Sequence, residues 1–187
     1  WKSGDYRELL CLLFVLTRMM KTKGMIAVEQ HIENPKESSL FQRYPKILND
    51  HFVTDFICDT MRMMSLNLED PHQVENAMER QLEKHHHEHL GPSNAIQSMA
   101  DAMPALGIVA AVLGIIKTMS SITEPPEVLG EMIGSALVGT FLGVFLAYGI
   151  VAPFAVRMGQ IVNEDAQFYA IIRDVLVAHL HGNAAQV

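Results

Sequence analysis

Two long apolar segments dominate the hydrophobic pattern of the chain. The first, LGIVAAVLGII, begins at Leu106, and the second extends from Ile133 to Val156 without one formally charged residue. Because an α-helix rises about 1.5 Å per residue, the second segment spans roughly 36 Å, enough for a tilted bilayer crossing. The first segment is shorter, so its helix can cross the bilayer only if flanking residues extend it. The pattern predicts a hairpin of two transmembrane helices.

The residues before the hairpin have an amphipathic pattern instead. Apolar side chains, Ile26 among them, recur at spacings of three and four from Tyr6 to about Ile32, and Gly24 is expected only to loosen this helix. The same spacing recurs from Pro45 to about Leu66. These two stretches predict helices that each bury one face.

Capping signals predict the ends of further helices. Asn34-Pro35 favours a short helix through Phe41, and Asp70-Pro71 opens another. Gly91-Pro92 is expected to end that helix, and Ser93 or the next residue to cap the one that enters the membrane. Strand signals are nearly absent. The chain is therefore predicted to be an all-α membrane protein.

The predicted elements divide the chain into five parts. They are a helical domain (1–93), a first membrane span (94–122), a connecting loop (123–130), a second span (131–156) and a C-terminal helix (157–187). The chain begins at Trp1 with neither an initiator Met nor a signal peptide, so we expect further sequence before it.

Composition and charge exclude several classes of function. The net charge is −7 and no basic stripe is present, which argues against a nucleic-acid partner. No nucleophile motif, phosphate-binding loop or carboxylate pair stands out, so an enzyme is not predicted.

Cys11 and Cys58 lie in apolar helical contexts and are predicted to be buried, reduced thiols. The spacing of His85 and His89 would suit a metal, but with no third ligand evident a solvated polar face is favoured.

Small residues recur along both apolar segments. In lipid, helices associate through close backbone contact, so such faces predict helix packing. The residues concerned are Gly107 and Gly114 in the first segment and Ser135, Gly139, Gly143 and Ala147 in the second.

Two prolines lie inside the predicted spans. Pro104 and Pro153 each remove a backbone donor and so release the carbonyl groups of Ala100 and Gly149. They predict either structural kinks or hinges beside a hydrated path. Thr140 is the one aliphatic hydroxyl deep in the second span, and it is expected to bond its own helix or to face a cavity.

Several segments resemble one known family. They are DAMPALGIVAAVLG from Asp101, EPPEVLG from Glu124, VGTFLG from Val138 and AYGIVAP from Ala147, with GMIAVE from Gly24 and HIENPKES from His31. Together they resemble the A subunits, MotA, of bacterial flagellar stators, in the MotA/TolQ/ExbB proton channel family. The resemblance covers nearly the whole chain. It implies the third and fourth helices of a four-helix inner-membrane subunit, with residues 1–93 and 157–187 cytoplasmic and residues 123–130 periplasmic.

The resemblance also implies a function. In this family five A subunits surround two MotB-type subunits, which carry the ion-binding aspartate, and ion flow drives torque on the rotor protein FliG. No cofactor is implied, and the partners are MotB, FliG, sister subunits and lipid. Pro104, Ala111, Thr140 and Pro153 match pore positions of the family.

The coupling ion is expected to be the proton. Sodium-driven relatives carry threonine where Ala111 stands and a Thr-Thr pair where Gly139-Thr140 stands. Sodium needs several oxygen ligands, and Ala111 and Gly139 have no side-chain oxygen. A proton requires only a carboxylate and a chain of water molecules.

Lys21 and Glu29 match the family's two rotor-facing charges. On one continuous helix they would be separated by about 80° and roughly 12 Å, too far for a mutual ion pair. Neither has an opposite charge three or four residues away, so both are expected to be available to a partner. The family often has arginine at the first position, and lysine keeps the charge without the bidentate fork.

Two alternatives to the stator hypothesis remain. One is an ExbB-like or TolQ-like energy-transducing subunit, which would lack the rotor-facing charges. The other is a non-conducting membrane scaffold, which would give Pro104, Thr140 and the small-residue faces no reason to coincide.

Overall fold

The computed structural model describes residues 1–66 and 71–182, and all regular structure in these ranges is helical. The elements are α1 (Ser3–Lys23), α2 (Met25–Glu33), a 3-10 helix (Phe41–Arg43), α3 (Pro45–Asn49), α4 (His51–Ser65), α5 (Pro71–Ser120), α6 (Pro126–Phe145), a π-helix (Leu146–Val151) and α7 (Ala152–Leu180). The all-α prediction is confirmed for these residues. The predicted cap at Asp70 lies outside them.

The chain forms two compact units. Unit 1 comprises Trp1–His86 and Asn163–Val187, and unit 2 comprises His87–Val162. The core of unit 1 contains large, fully buried side chains from several helices, among them Leu13 of α1, Phe56 of α4 and Phe168 of α7. The C-terminal half of α7 is therefore part of the same hydrophobic core as the first helix of the chain.

The two cysteines of unit 1 differ in environment. Cys58 is buried in α4, and this burial raises the pKa of its thiol to about 12. Cys11 is exposed, so the prediction that both thiols are buried is wrong for Cys11. It follows Leu9 by two residues and therefore lies on the opposite side of α1 from that buried leucine.

The long first helix is interrupted at Gly24. This residue has φ +80°, in the left-handed region that glycine adopts without steric cost, and it ends α1 and precedes α2. The interruption changes which side chains face the core. Val28 and Ile32 are buried, whereas Ile26, predicted to share the apolar face, is 78% exposed.

Two further predictions about unit 1 are wrong. No regular helix runs from Pro35 through Phe41: the amide groups of Glu37 and Ser38 donate to the carbonyl of Asn34 in turns, and only the 3-10 helix follows. The helix predicted from Pro45 ends after one turn. The next helix, α4, begins at His51 and is capped by Asp50, whose carboxylate accepts a 3.0 Å hydrogen bond from the amide of Val53. A short polar side chain that captures a backbone donor in this way favours a new helix start.

Helix α5 continues through Gly91-Pro92, where the sequence predicted an end. Ser93 is not a cap but a buried residue in the helix, and its hydroxyl donates a 2.7 Å hydrogen bond to the carbonyl of Ala155 in α7. A Cβ on Gly159 would lie 3.1 Å from the same hydroxyl oxygen. This close packing inside unit 2 favours a continuous helix despite the proline. Local helix propensity alone does not reveal such a tertiary effect.

Unit 2 contains the predicted hairpin. The helical segments Pro71–Ser120 and Pro126–Leu180 each contain a stretch long and apolar enough to cross a membrane, and only 17% and 6% of these stretches are buried in the molecule. A core helix of a soluble protein would be mostly buried. Here large side chains such as Leu106 (66% exposed) and Phe141 (64% exposed) face outwards, as lipid-facing residues do.

Candidate functional site

Glycines bring the two arms of the hairpin into backbone contact. A Cβ placed on Gly143 of α6 would lie 2.8 Å from the carbonyl oxygen of Met103 and 3.0 Å from the Cα of Gly107, both in α5. A Cβ on Gly107 would lie 2.9 Å from the carbonyl oxygen of Gly139. The atoms that a larger residue would meet belong to backbone, which cannot move aside. Gly107 and Gly143 therefore set the spacing of the arms.

The other small residues have different environments. A Cβ on Gly114 would collide with the Cβ of Ala136, so this pair continues the close contact. Ala147 is fully buried. Ser135 is exposed and lines a cleft of about 400 Å³ together with Ala110 and Glu131. The predicted packing face thus contains a close-packed part around the glycines and an open part at Ser135.

The pore candidates Ala111 and Thr140 lie at the same contact. The hydroxyl of Thr140 donates a 3.3 Å hydrogen bond to the carbonyl of Gly107 across the hairpin, rather than to its own helix. Thr140 is half-buried, and Ala111 is only 7% exposed. Ala111 therefore packs within the hairpin of the single chain, while the Thr140 side chain remains partly accessible.

The two prolines predicted to line a pore differ in their local structure. Pro104 lies inside α5, which continues through it, and is half-buried. Pro153 is exposed and follows the π-helix Leu146–Val151, where the amide of Ala152 donates to the carbonyl of Ala147. A π-helical turn inside a longer helix is frequent at functional sites, and the missing donor of Pro153 is the only sequence signal for it.

Lys21 and Glu29 lie in unit 1 on either side of Gly24, and both are exposed. The angle and rise calculated for a continuous helix do not apply, because α1 and α2 are separate helices. Among the described residues, 1–66 and 71–182, neither Lys21 nor Glu29 forms an ion pair. The electrostatic neighbour of Lys21 is His179 in α7: burial and the positive charge of Lys21 both lower the pKa of this histidine.

An arginine that the sequence analysis did not identify holds the helix that carries Glu29. Arg62 of α4 donates from Nε to Glu33 at 2.7 Å, from Nη1 to Asp59 at 2.7 Å and from Nη2 to the carbonyl of Ile32 at 3.0 Å. The hydrogen bond with Glu33 raises the pKa of Arg62 above its ordinary value. The guanidinium thus satisfies a carbonyl at the end of α2 and fixes that end against α4.

Replacing Arg62 by alanine is expected to loosen α2. The free energy of unfolding should fall by about 1 kcal/mol, because the hydrogen bonds are lost but the site is partly solvated. Lysine should rescue little of this, because it lacks the planar fork. Thermal unfolding and amide exchange of α2 measure the effect. Arg43→Ala, at an exposed arginine of the same unit, is the control, and equal losses for both variants would contradict the assignment.

The histidine run on α5 is not a solvated face throughout. His85 is half-buried, with its ring stacked on Phe52 at a centroid distance of 3.6 Å and edge-on to Tyr169 at 5.4 Å. His87 and His89 are exposed. His85 is therefore occupied in packing, which the sequence pattern did not indicate.

Comparison with known proteins gives consistent matches. The MotA/TolQ/ExbB proton channel family model matches residues 49–170. Motility protein A of Salmonella typhimurium is 37% identical over 187 residues, which is the whole of this chain and 63% of that protein. The chain thus spans less than two thirds of this curated relative.

Two solved structures share the fold. A C. jejuni MotAB structure superimposes with a TM-score of 0.76 at 19% identity, covering 97% of this chain and 64% of that one. The flagellar MotAB stator complex from Bacillus subtilis gives a TM-score of 0.63 at 18% identity, covering 100% of this chain and 73% of that one. With the family match over residues 49–170 and the similarity of this whole chain to part of Motility protein A, the chain belongs to the MotA/TolQ/ExbB proton channel family.

Proposed function

We propose that this chain is the A-type subunit of a flagellar stator and forms, with a MotB-type partner, a proton channel that drives torque on the rotor. The observation that carries the proposal is the similarity to Motility protein A over the whole chain, in both the unit with the exposed charges and the hairpin. In this arrangement the hairpin lies in the inner membrane, unit 1 is cytoplasmic, and the sister subunits form a pentamer around the partner.

The hairpin supports an ion path through its partly accessible hydroxyl. Thr140 uses its hydrogen for the carbonyl of Gly107, which leaves oxygen lone pairs available to water. Ala111 and Gly139 add no side-chain oxygen. A proton needs only a water chain and the carboxylate of the partner subunit, whereas dehydrated sodium needs several oxygen ligands from the protein.

Unit 1 supports contact with the rotor through its exposed charges. Lys21 and Glu29 carry opposite charges at the solvent-facing surface of α1 and α2, and the 78% exposed Ile26 lies between them in the sequence. An apolar side chain flanked by unpaired opposite charges is typical of a protein interface. FliG, the rotor partner of the family, is the proposed occupant.

Proton coupling is tested by swimming assays with the protein expressed as its gene encodes it, in a flagellated bacterium that does not swim because its own A-subunit gene is deleted. We expect swimming to persist when potassium replaces sodium and to stop when a protonophore is added. Swimming that requires sodium and survives the protonophore would overturn proton coupling while leaving the stator assignment intact. The stator assignment itself would be overturned if the purified protein carried no B-type partner and its expression did not restore swimming.

A further inference from the structure

Three potential metal ligands meet where α5 begins and α7 ends, within unit 1. His72 and Glu75 lie near the start of α5, and His181 directly follows α7. One ligand atom from each of the three lies within 4.8 Å of the other two. His181 is distant from the others in the sequence, so no ligand spacing predicts this cluster. Folding alone brings the three together.

The distance between His72 and Glu75 already suits a metal site. They are three residues apart and share one face of α5, and His72 Nδ1 lies 3.5 Å from Glu75 Oε2. Tetrahedral ligands held about 2.1 Å from a zinc ion are about 3.4 Å apart. The separation of these two atoms is therefore close to that of two ligands of one ion.

The hydrogen bonding of His181 presents its second nitrogen as a ligand. His181 Nδ1 lies 2.9 Å from the carbonyl oxygen of Val177. Because a carbonyl can only accept, this contact requires the proton on Nδ1 and leaves a lone pair on Nε2 of the neutral ring. A backbone carbonyl that fixes the tautomer in this way is the usual outer partner of a metal-bound histidine.

We propose that His72, Glu75 and His181 bind a divalent transition-metal cation of the zinc type, with water as the fourth ligand. Two imidazoles and one carboxylate form a ligand set that suits zinc and provide a single negative charge. They offer too few oxygens for magnesium or calcium. His72 and His181 are both exposed, so small side-chain rotations bring their nitrogens to bonding distance. The bound ion would join the start of α5 to the end of α7.

Zinc binding to the protein purified in detergent, without a polyhistidine tag, tests this site. Affinity is measured by competition with a chromophoric zinc chelator, and thermal unfolding is followed with and without zinc. His72→Ala, His181→Ala and Glu75→Gln remove one ligand each. His87→Ala is the matched control, since it deletes an exposed histidine of the same helix outside the cluster. Magnesium is the control ion.

We expect His72→Ala and His181→Ala to weaken zinc binding at least about tenfold, and His87→Ala to leave it unchanged. Zinc should raise the unfolding temperature of the wild type and of His87→Ala only, because the ion binds the folded arrangement. Magnesium should raise the unfolding temperature of neither protein. Equal zinc affinity in the wild type, His72→Ala and His181→Ala would overturn the proposal. So would a loss confined to His87→Ala, which would place the zinc on the histidine run instead.

Discussion

Replacing Gly143 by valine is expected to separate the arms of the hairpin. The first atom of a new side chain would lie 2.8 Å from the carbonyl oxygen of Met103 and 3.0 Å from the Cα of Gly107, and both neighbours are backbone. Relief therefore requires movement of a whole helix. Since packing between membrane helices depends on such close contact, alanine should already cost about 1–3 kcal/mol and valine more.

Gly134→Val provides the matched control for this prediction. Gly134 lies on the same helix, α6, and a Cβ added there would meet no atom of the described residues within 4 Å. Thermal unfolding in detergent micelles should show a large loss for Gly143→Val, an intermediate one for Gly143→Ala, and little change for Gly134→Val. Equal losses for the two valine variants would mean that general helix propensity, and not the contact with Gly107, governs the stability of the hairpin.

The existence of the hairpin could be predicted from the sequence because its signals are strong and local. The charge-free run from Ile133 to Val156 needs only its length and composition to indicate a membrane helix. The four-residue spacing of Gly139 and Gly143 likewise identified the face that meets α5. The partner of Thr140 could not be predicted, because the carbonyl of Gly107 belongs to the other arm and is brought near only by folding.

Helix ends were predicted less well, since they depend on competition between local and tertiary effects. At Gly24 the local effect prevails: the residue adopts φ +80° and the helix stops. At Pro92 the tertiary effect prevails, and the helix continues where Ser93 bonds to Ala155. Both sites contain a residue that disfavours helix, so composition alone does not distinguish them. The contacts of Arg62 with Glu33 and Ile32 are long-range and leave no periodic pattern to read.

Reversing the charge of Lys21 is expected to abolish or strongly reduce motility without unfolding the protein. Lys21 is exposed at the end of α1, so Lys21→Glu removes no core contact. If Lys21 faces an acidic group on the rotor, the substitution replaces attraction by repulsion, and the affinity of that contact should fall at least about tenfold. Glu29→Lys should act similarly from α2. Swimming speed and copurification with the rotor protein measure the effect.

Three further variants make the test of Lys21 specific. Lys23→Glu changes an exposed lysine two residues away, on a different side of α1, and should leave motility largely intact. Lys21→Arg should also be tolerated, since it preserves the charge. A reversed charge on the rotor should restore motility to Lys21→Glu. The pKa of His179 provides an internal control: Lys21 lowers it, so it should rise in Lys21→Glu if the helix ends remain in place. If the pKa of His179 rises in Lys21→Glu while swimming stays normal, the helix ends around Lys21 are folded as described but Lys21 does not contact the rotor.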